Sequence, residues 1–307
     1  MTHPGPDGVH TVAIVGATAS GKSDLAMAAA RSQTGTEIIA VDAMQVYRHM
    51  DIGTAKPTAQ DRAQVRHHCI DLVDPDATFT VAEFQHAADA ARHDIGTRGG
   101  SALLVAGTGL YLASLVNGLD LPGSWPDVRA RLESEADTAM LFERLLQLDP
   151  DAAARMEPGN RRRIVRALEV CEGSGRRFSS FGPGLETYPE TSIVQIGIRW
   201  PRDVLAARIE QRVMRMMQAG LLAEVEQLLG SYRLSRTAAQ ALGYKELIDH
   251  LEGRCSLAAA VDNIVVRTRQ FAVRQDRWFR RDPRIRWIDL EHDPMEALSA
   301  VVGALNR

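Results

Sequence analysis

Eight residues near the start of the chain, Gly16, Ala17, Thr18, Ala19, Ser20, Gly21, Lys22 and Ser23, fit the pattern GxxxxGK[ST]. The apolar run Val12 to Val15 precedes them and the helix-forming run Leu25 to Ala30 follows. That is the strand, loop and helix context a phosphate-binding loop requires. Glycine at both ends lets the backbone curl so that successive amide N–H groups face one anion. The helix N-terminus adds its partial positive charge. In this arrangement Lys22 supplies an ammonium to the terminal phosphate, and the Ser23 hydroxyl holds a Mg²⁺ that bridges phosphate oxygens. The loop leaves open whether that phosphate belongs to a nucleotide or to a diphosphate leaving group.

The elements that must position this loop are legible around it. Thr11 to Val15, Glu37 to Val41, Ala102 to Ala106 and Ser192 to Ile198 are short apolar or β-branched runs. The first two are separated by one helix, the βαβ cadence of a parallel sheet. The first three end directly in a polar or glycine turn, and in open α/β sheets ligands bind at those carboxyl ends. The phosphate loop, Asp42 and Thr108 are therefore expected to converge. Asp42 is placed to act as a general base toward a bound nucleophile, although a helix N-cap is a second reading of an aspartate there.

Between Leu121 and about Pro189 the pattern turns helical with no strand candidate, bounded by Pro122, Gly123 and Pro126 and by the glycine-rich stretch Gly173 to Gly184. The fold class expected is α/β: a P-loop NTPase-like parallel sheet core with a helical insertion domain. Its divisions are 1–121 for the first part of the core, 122–190 for the insertion, and 191–307 for the second part with C-terminal helices.

With 307 residues, 45% hydrophobic and 24% charged, the chain has the make-up of a soluble globular protein. Cys69, Cys171 and Cys255 form no CxxC, which excludes a zinc ribbon and a disulfide framework. They read as reduced thiols of a cytoplasmic protein. His67 and His68 beside Cys69 diverge in any regular element and do not make a metal site. The N-terminal MTHPGPDGVH lacks the basic and apolar regions of a signal peptide. Gly99 to Leu119 is long enough to span a membrane, but its five glycines divide it into a strand, a Gly-Thr-Gly turn and a helix.

The segment DAMQVYRHMDIGTAKP (Asp42 to Pro57), with GATASGKS and AGTGLY (Ala106 to Tyr111), resembles the tRNA dimethylallyltransferases. The resemblance continues through PDVRARLE (Pro126 to Glu133), RRRIVRALEV (Arg161 to Val170), RIEQRVMRMM (Arg208 to Met217), QALGYKE (Gln240 to Glu246) and RQFAVRQDRWFR (Arg269 to Arg280). It covers nearly the whole chain and implies a bacterial-type enzyme, without the zinc finger of eukaryotic relatives. Ala17, Ala43 and Ala106 depart from the GPTASGK, DSMQVY and GGT patterns, and His49 stands where glycine is common.

The resemblance implies transfer of a dimethylallyl group from dimethylallyl diphosphate to the exocyclic amine of the adenine 3′ of the anticodon, in tRNAs reading UNN codons. Asp42 would take the amine proton. Lys22, the loop and Mg²⁺ would stabilise the diphosphate, Thr108 would reach its reacting end, and Arg208 and Arg212 would clamp it. Contacts to tRNA fall by motif on Asp42, Ala43, Met44, Gln45 and Thr108. They extend to Arg129, to Arg162, Arg163, Ile164, Val165 and Arg166, and to Gln240, Ala241, Leu242, Gly243, Tyr244 and Lys245.

Charge clustering bears on the same partner. From Asp262 to Arg286 there are eight arginines against three aspartates, and from Arg155 to Arg177 seven arginines against three glutamates, on a chain of net charge −3. Such stripes suit a phosphate backbone. Helical phasing puts Arg267, Arg274, Arg277 and Arg281 on one face, with Ile264, Phe271 and Phe279 on another. Arg274, Arg277 and Arg280 join the tRNA contacts. Tyr47, Tyr111 and Tyr244 read as packing residues before base stackers, and Met214, Met216 and Met217 as core. A monomer with no membrane partner is expected. Three rivals stay open: a small-molecule kinase, prenyl transfer to free AMP, and a non-catalytic tRNA-binding protein.

Overall fold

A computed structural model describes residues 9–182 and 184–306. Most of the N-terminal stretch read for a signal peptide lies outside the described residues. The chain divides into two compact units, Met1–Val116 with Glu190–Arg307, and Asn117–Pro189.

The larger unit opens with β1 (His10–Val15), α1 (Lys22–Ser32), β2 (Thr36–Val41), α2 (Ala59–Gln64), β3 (His67–His68), α3 (Val81–Thr97), β4 (Ser101–Ala106) and α4 (Gly109–Val116). The smaller unit carries α5 (Pro126–Ser134), α6 (Thr138–Leu148), α7 (Pro150–Ala153) and α8 (Arg161–Ser174). The larger unit then resumes with β5 (Val194–Arg199), α9 (Arg202–Gln218), α10 (Leu221–Ser231), α11 (Arg236–Ala239), α12 (Tyr244–Leu251), α13 (Leu257–Phe279), β6 (Arg286–Asp289) and α14 (Leu298–Leu305).

The six strands form one parallel sheet in the order β3-β2-β4-β1-β5-β6. Covered on both faces, its central strands are apolar throughout rather than alternating. Alternate residues feed two cores: Val15, Ile39, Val41 and Leu104 pack with Phe84 and Leu112 from α3 and α4, while Val12, Ile14, Ile38 and Leu103 pack with Leu25 and Val301 from α1 and α14. Helix starts are fixed locally. Thr58 with Asp61 and Thr80 with Glu83 each make a reciprocal capping box. Strands β3 and β6 have no sequence signal, since one is two residues long and the other is four residues that begin where an arginine-rich segment ends. At β3 the two histidines diverge: His68 Nε2 is 2.6 Å from Glu37 Oε2, and His67 Nδ1 is 2.8 Å from the Val65 carbonyl.

A third core joins Val46, Tyr47 and Met50, from the segment after β2, to Val225, Tyr244, Leu247 and Ile264 of α10, α12 and α13. Tyr47, Tyr111 and Tyr244 are all buried. The methionine run Met214, Met216 and Met217 is not all core. Met216 and Met217 pack against this core, but Met214 is 47% exposed because it falls on the outer face of α9. Cys69 is buried, and burial with the nearby Asp89 charge pushes its thiol up to about 12, so it is an inert packing residue.

Carboxylates tie the larger unit together and set its acid limit. Burial opposes ionisation of both Glu37 and Asp71. Hydrogen bonds from Arg98 and His68 nevertheless hold Glu37 below the usual range, and those from Lys56 and Arg62 do the same for Asp71. A depressed carboxylate contributes stability above its unfolded pKa and loses it as pH falls through its folded pKa. The contribution of these two carboxylates is therefore expected to be constant near neutrality, and the melting temperature to drop below about pH 4 as it is lost. Asp71→Asn should lower it at pH 7 and flatten the acid slope in a thermal scan from pH 7 to 3.

The smaller unit has its own core, Leu132, Leu141, Leu145, Ile164, Val165 and Leu168. A Cβ at Gly173 would run into the Trp125 ring. Gly173→Ala is expected to cost about 1–3 kcal/mol by overpacking, read as an earlier unfolding transition by differential scanning calorimetry.

Candidate active site at the carboxyl edge of the sheet

Register brings the site together. Val15 of β1 and Val41 of β2 both pair with Ala106 of β4, so Gly16, Asp42 and Gly107 leave the sheet at one level on adjacent strands. A cavity of about 1160 Å³ opens there, lined by the phosphate loop and α1 on one side and by Asp42, Gln45 and Asp51 on another.

The loop's carbonyls are held by donors from the protein. Lys22 Nζ donates to the Ala17 carbonyl at 2.7 Å, Arg208 Nε to Ala19 at 2.9 Å and Trp200 Nε1 to Ser20 at 2.9 Å. The Arg208 guanidinium lies 4.6 Å from the centre of the Trp200 ring. Gly21 has φ 90° and abuts Pro294, which explains why this position takes glycine. At Gly16 a Cβ would sit 2.8 Å from the Ile198 carbonyl. The Thr18 amide is committed away from any phosphate, donating to Gln275 Oε1 at 2.7 Å.

The two Asp42 oxygens have different surroundings. Its Oδ1 accepts from the amides of Met44 at 2.7 Å and Gln45 at 3.3 Å, fixing the turn after β2. Its Oδ2 faces Gly107, where a Cβ would approach to 3.2 Å. Thr108 braces the same turn, its hydroxyl accepting from the Ala43 amide at 3.1 Å. Gln275 links the two sides, since its Nε2 also donates to the Gly107 carbonyl at 2.6 Å. Gln275, buried on α13, carries no signal in its type or spacing beyond its place in the RQFAVRQDRWFR block.

The cavity is electropositive. Burial pushes the Lys22 ammonium down to about 7, the Arg212 charge pushes the same way, and Asp42 opposes both. Burial likewise holds the Arg212 guanidinium below its usual range, with Asp42 opposing. Two cations that destabilise each other favour an anion between them. Arg208 and Arg212 both line the cavity, Arg208 with its Nε already on the Ala19 carbonyl. Among the described residues no group of three or more His, Cys, Asp or Glu could hold a metal. A cation here would be one content with a hydroxyl, substrate phosphate oxygens and water, which is the habit of Mg²⁺. Ser23, exposed on the cavity wall, offers that hydroxyl.

Other residues expected to touch tRNA divide by burial. Gln240, Arg274, Arg277 and Arg280 are exposed, as are Arg162 and Arg163 on α8. Arg281 lies past the end of α13, so it does not continue that helical face. Ile164, Val165, Ala241 and Tyr244 are core residues and offer no side chain to a partner; Gly243 is buried too. Their motifs match because those turns and helices must pack. Arg166 donates to the Pro122 and Gly123 carbonyls at 2.8 and 3.0 Å and pairs with Glu169 at 2.9 Å. Arg129 pairs with Glu133 at 3.0 Å, and Lys245 with Asp249 at 3.3 Å. Leu242 is half-buried. His49 has φ 62°, which accounts for the glycine expected at its position.

The family model for IPP transferase matches residues 45–282, and that for isopentenyl transferase matches residues 9–74. The chain belongs to the IPP transferase family. It is a prenyl transferase with a P-loop-like parallel sheet. Among its relatives is a tRNA dimethylallyltransferase of Kineococcus radiotolerans, 45% identical with 98% of each chain covered. Among solved structures it is similar to the tRNA isopentenylpyrophosphate transferase of Bacillus halodurans, 37% identical, with 96% of each chain covered and a TM-score of 0.69. It is also similar to a eukaryotic dimethylallyltransferase acting on tRNA, 25% identical over 94% of this chain and 76% of that one, with a TM-score of 0.79.

Proposed function

We propose that the chain is a tRNA dimethylallyltransferase that moves the dimethylallyl group of dimethylallyl diphosphate to the exocyclic amine of the adenine 3′ of the anticodon, in tRNAs reading UNN codons, releasing diphosphate. The observation that carries this is one cavity lined by the Asp42 carboxylate, by the phosphate loop with buried Lys22, and by Arg212 of α9.

The exocyclic amine is a weak nucleophile, its lone pair delocalised into the ring. Asp42 accepts its proton as the new N–C bond forms and the C–O bond to diphosphate breaks. Charge gathers on the departing diphosphate, where Lys22, Arg212 and the loop amides stabilise it in place. Mg²⁺, held by Ser23 and phosphate oxygens, would add Lewis-acid stabilisation of that leaving group. Thr108 keeps the Asp42 turn in register beneath the reacting atoms. A base buried in an anticodon loop must be extruded to enter, at a few kcal/mol of unstacking. The exposed arginines Arg162, Arg163, Arg274, Arg277 and Arg280 offset this by backbone contacts.

The protein acts as a cytoplasmic monomer in this reading. Among the described residues no helix is long and apolar enough to cross a membrane.

The test is incubation of the purified protein with unmodified tRNA, Mg²⁺ and either radiolabelled dimethylallyl diphosphate or γ-labelled ATP, followed by nucleoside analysis. Prenyl label on one anticodon-loop adenosine is the expected result. Label on AMP alone, or phosphate transfer from ATP to a small acceptor, would overturn the substrate assignment.

A further inference from the structure

Glu224, on α10, accepts four hydrogen bonds. Its Oε2 receives the amides of Asp51 at 3.0 Å and Ile52 at 2.7 Å. Its Oε1 receives the Gly53 amide at 3.3 Å and the Tyr244 hydroxyl at 2.6 Å. Three successive backbone N–H groups turned to one carboxylate force the segment Asp51 to Gly53 into a concave nest. The Tyr244 ring roofs it so closely that a Cβ at Gly53 would overlap ring atoms. Burial and the Glu224 charge hold the Tyr244 phenol above its usual range, so it remains a donor.

The other side of this segment faces the cavity. Buried Lys56 anchors it, donating to the Tyr47 carbonyl at 2.5 Å, Asp51 Oδ1 at 2.7 Å and Asp71 Oδ1 at 2.6 Å. The carbonyls of Thr54 and Ala55 accept from Gln45 Nε2 at 3.0 and 3.3 Å. Two carbonyl acceptors can be satisfied only by an NH₂ group, which fixes the orientation of the Gln45 amide. Gln45 lines the cavity, and with its NH₂ engaged the group left to accept from a ligand is its oxygen, three residues from Asp42.

We infer that Glu224, with Tyr244, is a positioning residue that acts through the 51–55 loop on Gln45, presenting the Gln45 oxygen as a second acceptor for the amine-bearing edge of the base. The inference rests on the proposed acceptor. It makes Gln45 a selector for an exocyclic amine, which brings two N–H donors, over a 6-oxo base. It also explains why Tyr244, placed by its motif among tRNA contacts, is buried.

The test is a double-mutant cycle on the full chain, read as kcat/KM for tRNA and KM for dimethylallyl diphosphate. Glu224→Gln keeps size but puts an NH₂ where two of the donors need an acceptor, and is expected to lower kcat/KM for tRNA about tenfold with the diphosphate KM unchanged. In a Gln45→Leu background the same change should cost less than about twofold, because the two act in series. Equal losses in both backgrounds, or a matching rise in the diphosphate KM, would overturn the inference. Should Glu224→Gln fail to fold, Tyr244→Phe keeps the ring and removes one donor; a twofold or larger loss for tRNA that vanishes in the Gln45→Leu background is expected, and an additive loss overturns the inference. A wild-type protein that prenylates no tRNA would instead remove the proposed function itself.

Discussion

Asp42→Asn is expected to lower kcat by about 10²- to 10⁴-fold, the range associated with a general base, with tRNA affinity nearly unchanged. Asparagine is the informative replacement because the two Asp42 oxygens have different surroundings. Its Oδ1 caps the amides of Met44 and Gln45, and asparagine retains that oxygen. Only the second oxygen, facing Gly107, becomes an amide that cannot take a proton. The turn should therefore survive and the melting temperature stay near wild type. Asp42→Ala loses the cap as well, adding a destabilisation of about 1 kcal/mol. Steady-state kinetics with each substrate varied, together with tRNA binding by filter retention, separates the two functions. Equal losses of binding and turnover in the asparagine variant would count against the base assignment and return Asp42 to the capping role.

The second large effect is expected at the other end of the cavity. Lys22→Met keeps an unbranched apolar stem and removes the ammonium. A charge-assisted hydrogen bond contributes about 1.5–3 kcal/mol, so the KM for dimethylallyl diphosphate should rise about 10- to 100-fold. The KM for tRNA should not move. Lys22 donates to the Ala17 carbonyl, so part of the loss can come from the loop itself. Inorganic diphosphate inhibition distinguishes the two. A loop that has lost its shape fails to bind diphosphate at all, whereas one lacking only the charge binds it 10- to 100-fold more weakly. Normal saturation by dimethylallyl diphosphate would refute the placement of the substrate on this loop.

Much of the frame was readable without coordinates. A run such as Val12 to Val15 has one stable environment, a strand covered on both faces, and the glycine, lysine and serine after it have a conformational and chemical meaning at their spacing. Asp42 was conspicuous because an acid directly follows an apolar strand. The short strand β3 and the edge strand β6 escaped because two histidines, or Arg286 to Asp289, carry no periodicity of their own. Ile164, Val165 and Tyr244 sit in blocks that match the family, and that alone groups them with the tRNA contacts. A match does not say which way a side chain points.

By itself the sequence determined the phosphate loop, the level of Asp42 and Thr108 beside it, the helical character of 122–190 and the family, since each is written in local pattern or contiguous motif. Tertiary structure decided how those groups are held. Gln275 reaches Thr18 across 257 residues of chain, Arg208 reaches Ala19 across 189, and Glu224 reaches Ile52 across 172. Hydrogen-bond partners at such separations are set by where packed helices bring a side chain. Spacing along the chain encodes the face of an element and nothing about what that face will meet.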